Sequence, residues 1–247
     1  MRDGGLAGPT PGGSLLGMTN TIIASQAATT TESKDDRTRT LLYRVAGTLL
    51  ITGPALTFAG MLTSPSQDGP GTADYIESLT RDDTMTQVSA MLLHYSNMLT
   101  GVGLLVVPLL VRGSRGRVLS LTGMFTAVLT MLNISGALKD DWWRMELGNQ
   151  VPIDVAVKIS DAVDASALLS PWRDVAMLGF LGLLLLYIGL ARAGVLGWWA
   201  TGVYLAALIG MFTVPVSLTL IYGLVFTALF APLAVVGVRV IQRARLS

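Results

Sequence analysis

The sequence predicts an all-α, polytopic transmembrane bundle of six spans with both termini on the cytoplasmic side. Three observations carry that prediction. Of the 247 residues only 13% are charged, mean hydropathy is +0.59, and the apolar residues gather in runs of some 20 residues. A soluble domain normally carries about a quarter of its residues as charges. Second, basic residues fall unevenly between alternate loops. Third, all five tryptophans lie at or near the ends of the predicted spans, where aromatic rings sit at membrane interfaces.

Residues 1–40 are Gly/Pro-rich, then Ser/Thr-rich, then charged, and the expectation is a disordered cytoplasmic tail. The patch Leu15–Ile23 is interrupted by Gly17, Thr19, Asn20 and Thr21, so no cleaved signal peptide is expected; Met18 is an alternative start. The first span is Leu41–Thr63. Ala46, Gly53 and Gly60 recur along it at seven-residue intervals and give one smooth face for helix packing, and Pro54 removes one backbone donor. A Ser/Pro/Gly/Asp loop follows, in which Thr72 is expected to cap a short helix that turns Tyr75, Ile76 and Leu79 to the membrane.

Spans two and three, Gln87–Val111 and Val118–Leu138, form a hairpin closed by Arg112-Gly-Ser-Arg-Gly-Arg117, a turn with three arginines and no acid. That turn belongs inside by the positive-inside rule. The next loop opens with Lys139-Asp-Asp-Trp-Trp-Arg144 and continues as an amphipathic external helix, about 151–169. One stripe of this helix holds Asp154, Lys158, Asp161 and Asp164, and the other Val155, Ile159, Ala162 and Val163. Spans Val175–Ala191, Val195–Pro215 and Leu218–Val238 follow. Each has small residues at packing intervals (Gly179/Gly182/Gly189, Gly202/Ala206/Gly210, Gly223/Thr227/Ala231), and residues 241–247 close the chain as a basic cytoplasmic tail. With the N-terminus inside, cytoplasmic segments hold 12 of the 17 Lys and Arg residues and external loops 12 of the 16 acids.

The same reading excludes several chemistries. There is no cysteine, hence no disulfide, thiolate nucleophile or iron–sulfur cluster, and one histidine is too few for bis-histidine haem. No carboxylate falls within a predicted span, which argues against a proton- or sodium-coupled pump. No metalloprotease, nucleophile-elbow, P-loop or dinucleotide motif is present, so no cofactor and no metal site are expected; a net charge of +1 implies no nucleic-acid partner.

What remains is polar character at one depth. His94 on span two and Asn133 on span three lie at similar distances below the outer surface. Each belongs to a polar or small stripe, and Asn97 and Tyr222 are placed to join them. Two readings stay open. His94 and Asn133 hydrogen-bond each other and fix helix packing, or His94, Asn97, Asn133 and Tyr222 line an outward-facing pocket. That pocket would take a lipid or small apolar molecule, or the chain would engage a membrane partner protein or a second copy. The alternative activity is a membrane-embedded enzyme acting on a lipid or isoprenoid-like substrate, with His94 and Asp140, Asp141 or Asp174 at the rim as acid–base groups.

The order of these features is an apolar first span, a Ser/Pro/Gly loop, Ala73-Asp-Tyr-Ile76, a second span with His94 near its outer end, and a short Arg/Gly turn. It resembles the six-span integral membrane proteins of unknown function from GC-rich bacteria over about 41–239. This chain departs from them in its longer acidic, tryptophan-bearing second external loop. The resemblance implies a plasma-membrane location and the number of spans, and no activity.

Overall fold

A computed structural model describes the backbone of residues 15–167 and 170–245, with side chains for 36–167 and 175–245. Among the described residues the chain is helical and contains no strand. In order the helices are α1 (Leu15–Thr63), α2 (Thr72–Thr80), α3 (Asp83–Leu104), α4 (Arg117–Ala137), α5 (Lys139–Gln150), α6 (Ile153–Asp164), α7 (Ser170–Arg192), α8 (Trp199–Thr213) and α9 (Thr219–Ala244). Six of them form a closed ring: α1 packs on α3, α3 on α4, α4 on α7, α7 on α8, α8 on α9, and α9 returns to α1. Leu50, Leu104, Met131, Leu186, Tyr204 and Leu229 belong to the core that this ring encloses.

Glycines decide how closely the ring closes. On α1, Gly53 faces Thr100 and Gly60 faces Leu93, while the backbone of Ala46 lies against Gly103, so the expected seven-residue face is the α3 interface. On α7, Gly179 meets Thr130, Gly182 meets Thr126 and Ala127, and Gly189 meets Ser120, which makes the predicted stripe the α4 interface. On α8 the expected face differs: Gly202 and Ala206 are exposed and Thr201, Tyr204 and Ala207 are buried instead. Tyr204 sets that rotation, because its hydroxyl donates to the Phe180 carbonyl at 2.6 Å and a buried phenol needs such a partner.

Four helical segments are long and apolar enough to cross a membrane: Asp36–Thr63, Arg117–Gln150, Val175–Arg192 and Thr219–Ala244. Within the second, the apolar part is α4, since α5 carries Lys139, Asp140, Asp141, Arg144 and Glu146. The bundle also exposes Leu129 (65%), Ile209 (63%) and Phe212 (71%), an apolar exterior of the kind that faces lipid.

Several expected boundaries change. The helix of the first span begins at Leu15, so residues 15–40 are helical where a disordered tail was expected; residues 1–14 lie outside the described residues. From 18 to 46 the chain has neither Gly nor Pro, and a nucleated helix propagates through such sequence at little cost. The second span is not one run to Val111: α3 ends at Leu104 and a single 3₁₀ turn, Val107–Leu110, follows. Pro108 lacks the donor that an α-helix needs and disfavours the α conformation at Val107. At the C-terminus α9 carries residues 241–244 as helix rather than tail.

At one end of the ring, α2, α5 and α6 pack on one another as a small cap. Gly71, not Thr72, is the N-cap of α2, with its N–H donating to the Asp74 carboxylate at 3.1 Å; Thr72 instead donates to Asp161 on α6 at 3.0 Å. Ile76 and Leu79 are buried within the cap rather than turned outward, and Ile76 is held against Gly148 of α5. The opposite end is basic. Gly113 and Gly116 have φ of 81° and 73°, which lets the Arg112–Arg117 turn fold back. A Cβ at Gly116 would stand 2.2 Å from the Gly189 carbonyl oxygen, so that turn seats directly on the end of α7. Arg243 donates to the Leu110 carbonyl at 3.1 Å and Arg239 to that of Val195, gathering the loops of this end under α9.

Candidate functional site

The polar residues of α3 divide among α1, α2 and α4, with Thr86 donating to the Leu79 carbonyl of α2 at 2.7 Å. Ser89 donates to the Gly60 carbonyl at 2.9 Å and Ser96 to that of Gly53 at 2.8 Å, so these hydroxyls bridge α3 to α1 in the buried interface. Each bond occupies a donor that would be costly to leave unpaired in an apolar medium. His94 lies about 40° round the helix from Ala90 and faces α4. Its Nδ1 is 2.9 Å from the Ser135 carbonyl oxygen and 2.8 Å from Ser135 Oγ, and Ser135 Oγ is in turn 3.3 Å from the His94 carbonyl oxygen. The set closes when Nδ1–H donates to Ser135 and the serine hydroxyl donates to the His94 carbonyl. In the neutral ring this leaves Nε2 as the acceptor.

His94 also lines a cleft of about 330 Å³ between α3 and the junction of α4 with α5. Its walls include Met91 and Tyr95 from α3, Gly136 from α4, Leu138 at the junction, and Lys139 and Trp142 from α5. Met91, Tyr95 and Trp142 are exposed, so the cleft opens sideways from the ring and not into its centre. Tyr95 stands edge-on to the imidazole at 5.1 Å between centroids.

The structure separates most of the residues that the sequence grouped. The bond partner of His94 Nδ1 is Ser135, two residues from Asn133, which shares no lining with it. Asn97 turns inward, donating to the Leu93 carbonyl at 2.8 Å and lining a separate void of about 70 Å³ with Thr130, Gly179 and Phe226. Tyr222 is on the first turn of α9, which packs on α1 and α8, and does not line the His94 cleft. The side chain of Asp174 lies outside the described residues.

Asp140 and Asp141 project from the side of α5 away from Lys139 and Trp142. Asp140 accepts from Arg144 Nε at 2.6 Å, and Arg144 Nη2 reaches Asp164 of α6 at 2.8 Å. Arg144 is buried, so this three-residue set ties α5 to α6 beneath the cap surface. Asp141 accepts a hydrogen bond from the Tyr75 hydroxyl of α2. Burial, against the lowering effect of the Tyr75 hydrogen bond and with smaller opposing contributions from Asp140 (raising) and Arg144 (lowering), leaves the Asp141 carboxyl raised to about 6. Burial, and next the Asp141 charge, hold the Tyr75 phenol well above its ordinary value. These acids are occupied in holding the cap together and lie apart from the imidazole. Ser135 is the site residue that sequence reasoning missed; Arg144 was expected at the rim, without its partners. Arg144 had a readable signal, since Asp140 precedes it by one helical turn.

No family model, curated protein or solved structure matches this chain.

Proposed function

We propose that the chain is a six-span plasma-membrane protein with both termini cytoplasmic, and that its lateral His94 cleft binds a lipid or small apolar molecule. The observation that carries the binding reading is the cleft itself: an apolar recess open to the side, with a single imidazole anchored by Ser135 in its wall. Ligand sites are typically apolar hollows with a few oriented polar groups, roughly 300–1,000 Å³ in volume.

Two helices beyond the four apolar ones complete the span count. α3 has 22 residues, a length of about 33 Å at 1.5 Å per residue. Ser89, Ser96 and Thr100 turn to α1 and His94 to α4, leaving Met98, Val102 and Leu105 exposed. α8 has only 15 helical residues, about 22 Å by the same rise. Apolar Val195, Leu196 and Val214 flank it. The basic end, with Arg112, Arg115, Arg117, Arg192 and Arg239, then faces the cytoplasm and the α2–α5–α6 cap faces out.

Both parts are testable. Because the chain has no cysteine, single cysteines at Ser114 and at Asn149 report sidedness directly. An impermeant maleimide should label Asn149→Cys in intact cells and Ser114→Cys only after lysis; the reverse pattern, or labelling of both, overturns the topology. For the cleft, Gly136→Leu fills it from a position where an added Cβ meets no atom within 4 Å. The variant should fold and melt like wild type yet lose a co-purifying lipid or a fluorescent fatty-acid probe. Equal retention by both proteins sinks the cleft as a binding site.

A further inference from the structure

We infer that the cleft selects an acidic phospholipid of the outer leaflet, with its phosphate on Lys139 and its upper acyl chain along Met91 and Leu138. The inference rests on the cleft being a ligand site and adds the sign of the headgroup.

Charge in the cleft is one-sided. Lys139 and His94 are its ionisable nitrogen-bearing side chains, and no carboxylate lines it. The nearest acids in sequence, Asp140 and Asp141, are turned to Arg144 and Tyr75 on the other side of α5. Lys139 is exposed and enters none of the ion pairs among the described residues. An unpaired ammonium above an apolar recess is complementary to an anion carried on a hydrocarbon chain.

Depth agrees with that assignment. α4 has 21 residues, about 31 Å at the helical rise, which matches a hydrocarbon core of about 30 Å. Lys139 stands two residues past the end of α4 and so at headgroup level. Ser135, with the imidazole it holds, lies one turn deeper, at the level of a lipid's glycerol and first ester groups. Tyr95 and Trp142 flank the opening at the depth where aromatic rings favour the interface. A volume of about 330 Å³ encloses the upper part of one lipid and leaves the rest of its chains in the bilayer, which suits the sideways opening.

The test uses the full-length protein, purified in a neutral detergent and stripped of lipid. It is incubated with equal amounts of phosphatidylglycerol and phosphatidylcholine of identical chains, and the retained lipids are counted by native mass spectrometry. One lysine contact to an anionic headgroup corresponds to a preference of roughly fivefold for phosphatidylglycerol. Lys139→Gln should bring that ratio near one. Lys158→Gln, on the outer cap but outside the cleft, should leave it unchanged. Equal binding of both lipids, lost in Gly136→Leu, overturns the acidic preference while leaving the cleft as a lipid site. Preference that survives both Lys139→Gln and Gly136→Leu places the acidic lipid elsewhere and overturns the inference. No retention by wild type, or retention indifferent to Gly136→Leu, removes the ligand site itself. Millimolar inorganic phosphate that displaces phosphatidylglycerol in a Lys139-dependent way identifies a free-anion site and also refutes the lipid assignment.

Discussion

Asp141→Asn should make the protein more stable at neutral pH and nearly erase one component of its pH dependence. Asp141 is a carboxyl that burial raises from 3.8 to about 6, against the counter-effects of its Tyr75 hydrogen bond and of Arg144. Each unit of difference between folded and unfolded states corresponds to about 1.36 kcal/mol, so the ionised form carries about 3 kcal/mol of unfavourable free energy in the folded cap. The sign follows from proton uptake. Because the folded value is the higher one, the folded protein binds more protons than the unfolded chain between about 3.8 and 6. The stabilisation is therefore fully present below about 3.8 and is lost as pH rises through about 6. Integrating over that window, lowering the pH from about 7.5 to about 5 gains about 1.4 kcal/mol from this group. An asparagine carbonyl still accepts the Tyr75 hydroxyl and carries no charge. Thermal unfolding in detergent at a series of pH values is the assay, with proteolysis of the α2–α5–α6 cap as a local readout. Wild type should gain stability in its cap on mild acidification, and Asp141→Asn should start higher and lack that gain. Tyr75→Phe is the companion: it removes the hydroxyl donor, so its cost should exceed that at pH 5 when measured at pH 7.5, where the carboxylate is charged. If Asp141→Asn is less stable than wild type at pH 7.5, the charge is a net favourable partner of Arg144 and the reasoning is refuted.

Gly123→Ala should destabilise the bundle by about 1–3 kcal/mol, as overpacking does, because its Cβ would stand 2.3 Å from the Leu186 nitrogen and 2.7 Å from the Gly182 oxygen. Gly202→Ala meets nothing within 4 Å and should be neutral or gain about 0.5–1 kcal/mol from helix propensity; detergent melting curves of the two variants check both, and equal behaviour would remove the α4–α7 contact as a determinant. Ser135→Ala removes one acceptor but leaves the Ser135 carbonyl for His94 Nδ1, so it should cost about 0.5–1.5 kcal/mol. His94→Ala, which orphans that carbonyl and widens the cleft, should cost more in the same melting experiment; the opposite order would show that the imidazole is not a packing element.

How much of this could be read in advance follows from the physics of each level. The apolar helices were legible because hydrocarbon leaves backbone polar groups only the intrahelical solution, so hydropathy and length locate α1, α4, α7 and α9. Seven-residue glycine spacing on α1 and the Gly179/Gly182/Gly189 set on α7 were legible for a related reason: close approach needs a missing side chain, and its period marks a face. The grouping of His94, Asn97, Asn133 and Tyr222 was not. Depth along a helix is a sum of residues, but which neighbour a side chain meets depends on the rotation and crossing of whole helices. Here α4 is turned by its glycine-lined contact with α7, which brings Ser135 to His94 and leaves Asn97 facing the core. The cap is a second case. Asp140 and Asp141 are expected at the rim of the pocket, yet α2 and α6 pack against α5 there and make these carboxylates and Arg144 ties between three helices. Sequence by itself determined the helical class, the apolar segments and the one-sided distribution of charge, because those are local consequences of composition. Tertiary structure alone decided the partners of the polar side chains, because a hydrogen bond a few ångströms long is set by packing between segments that are distant in the chain.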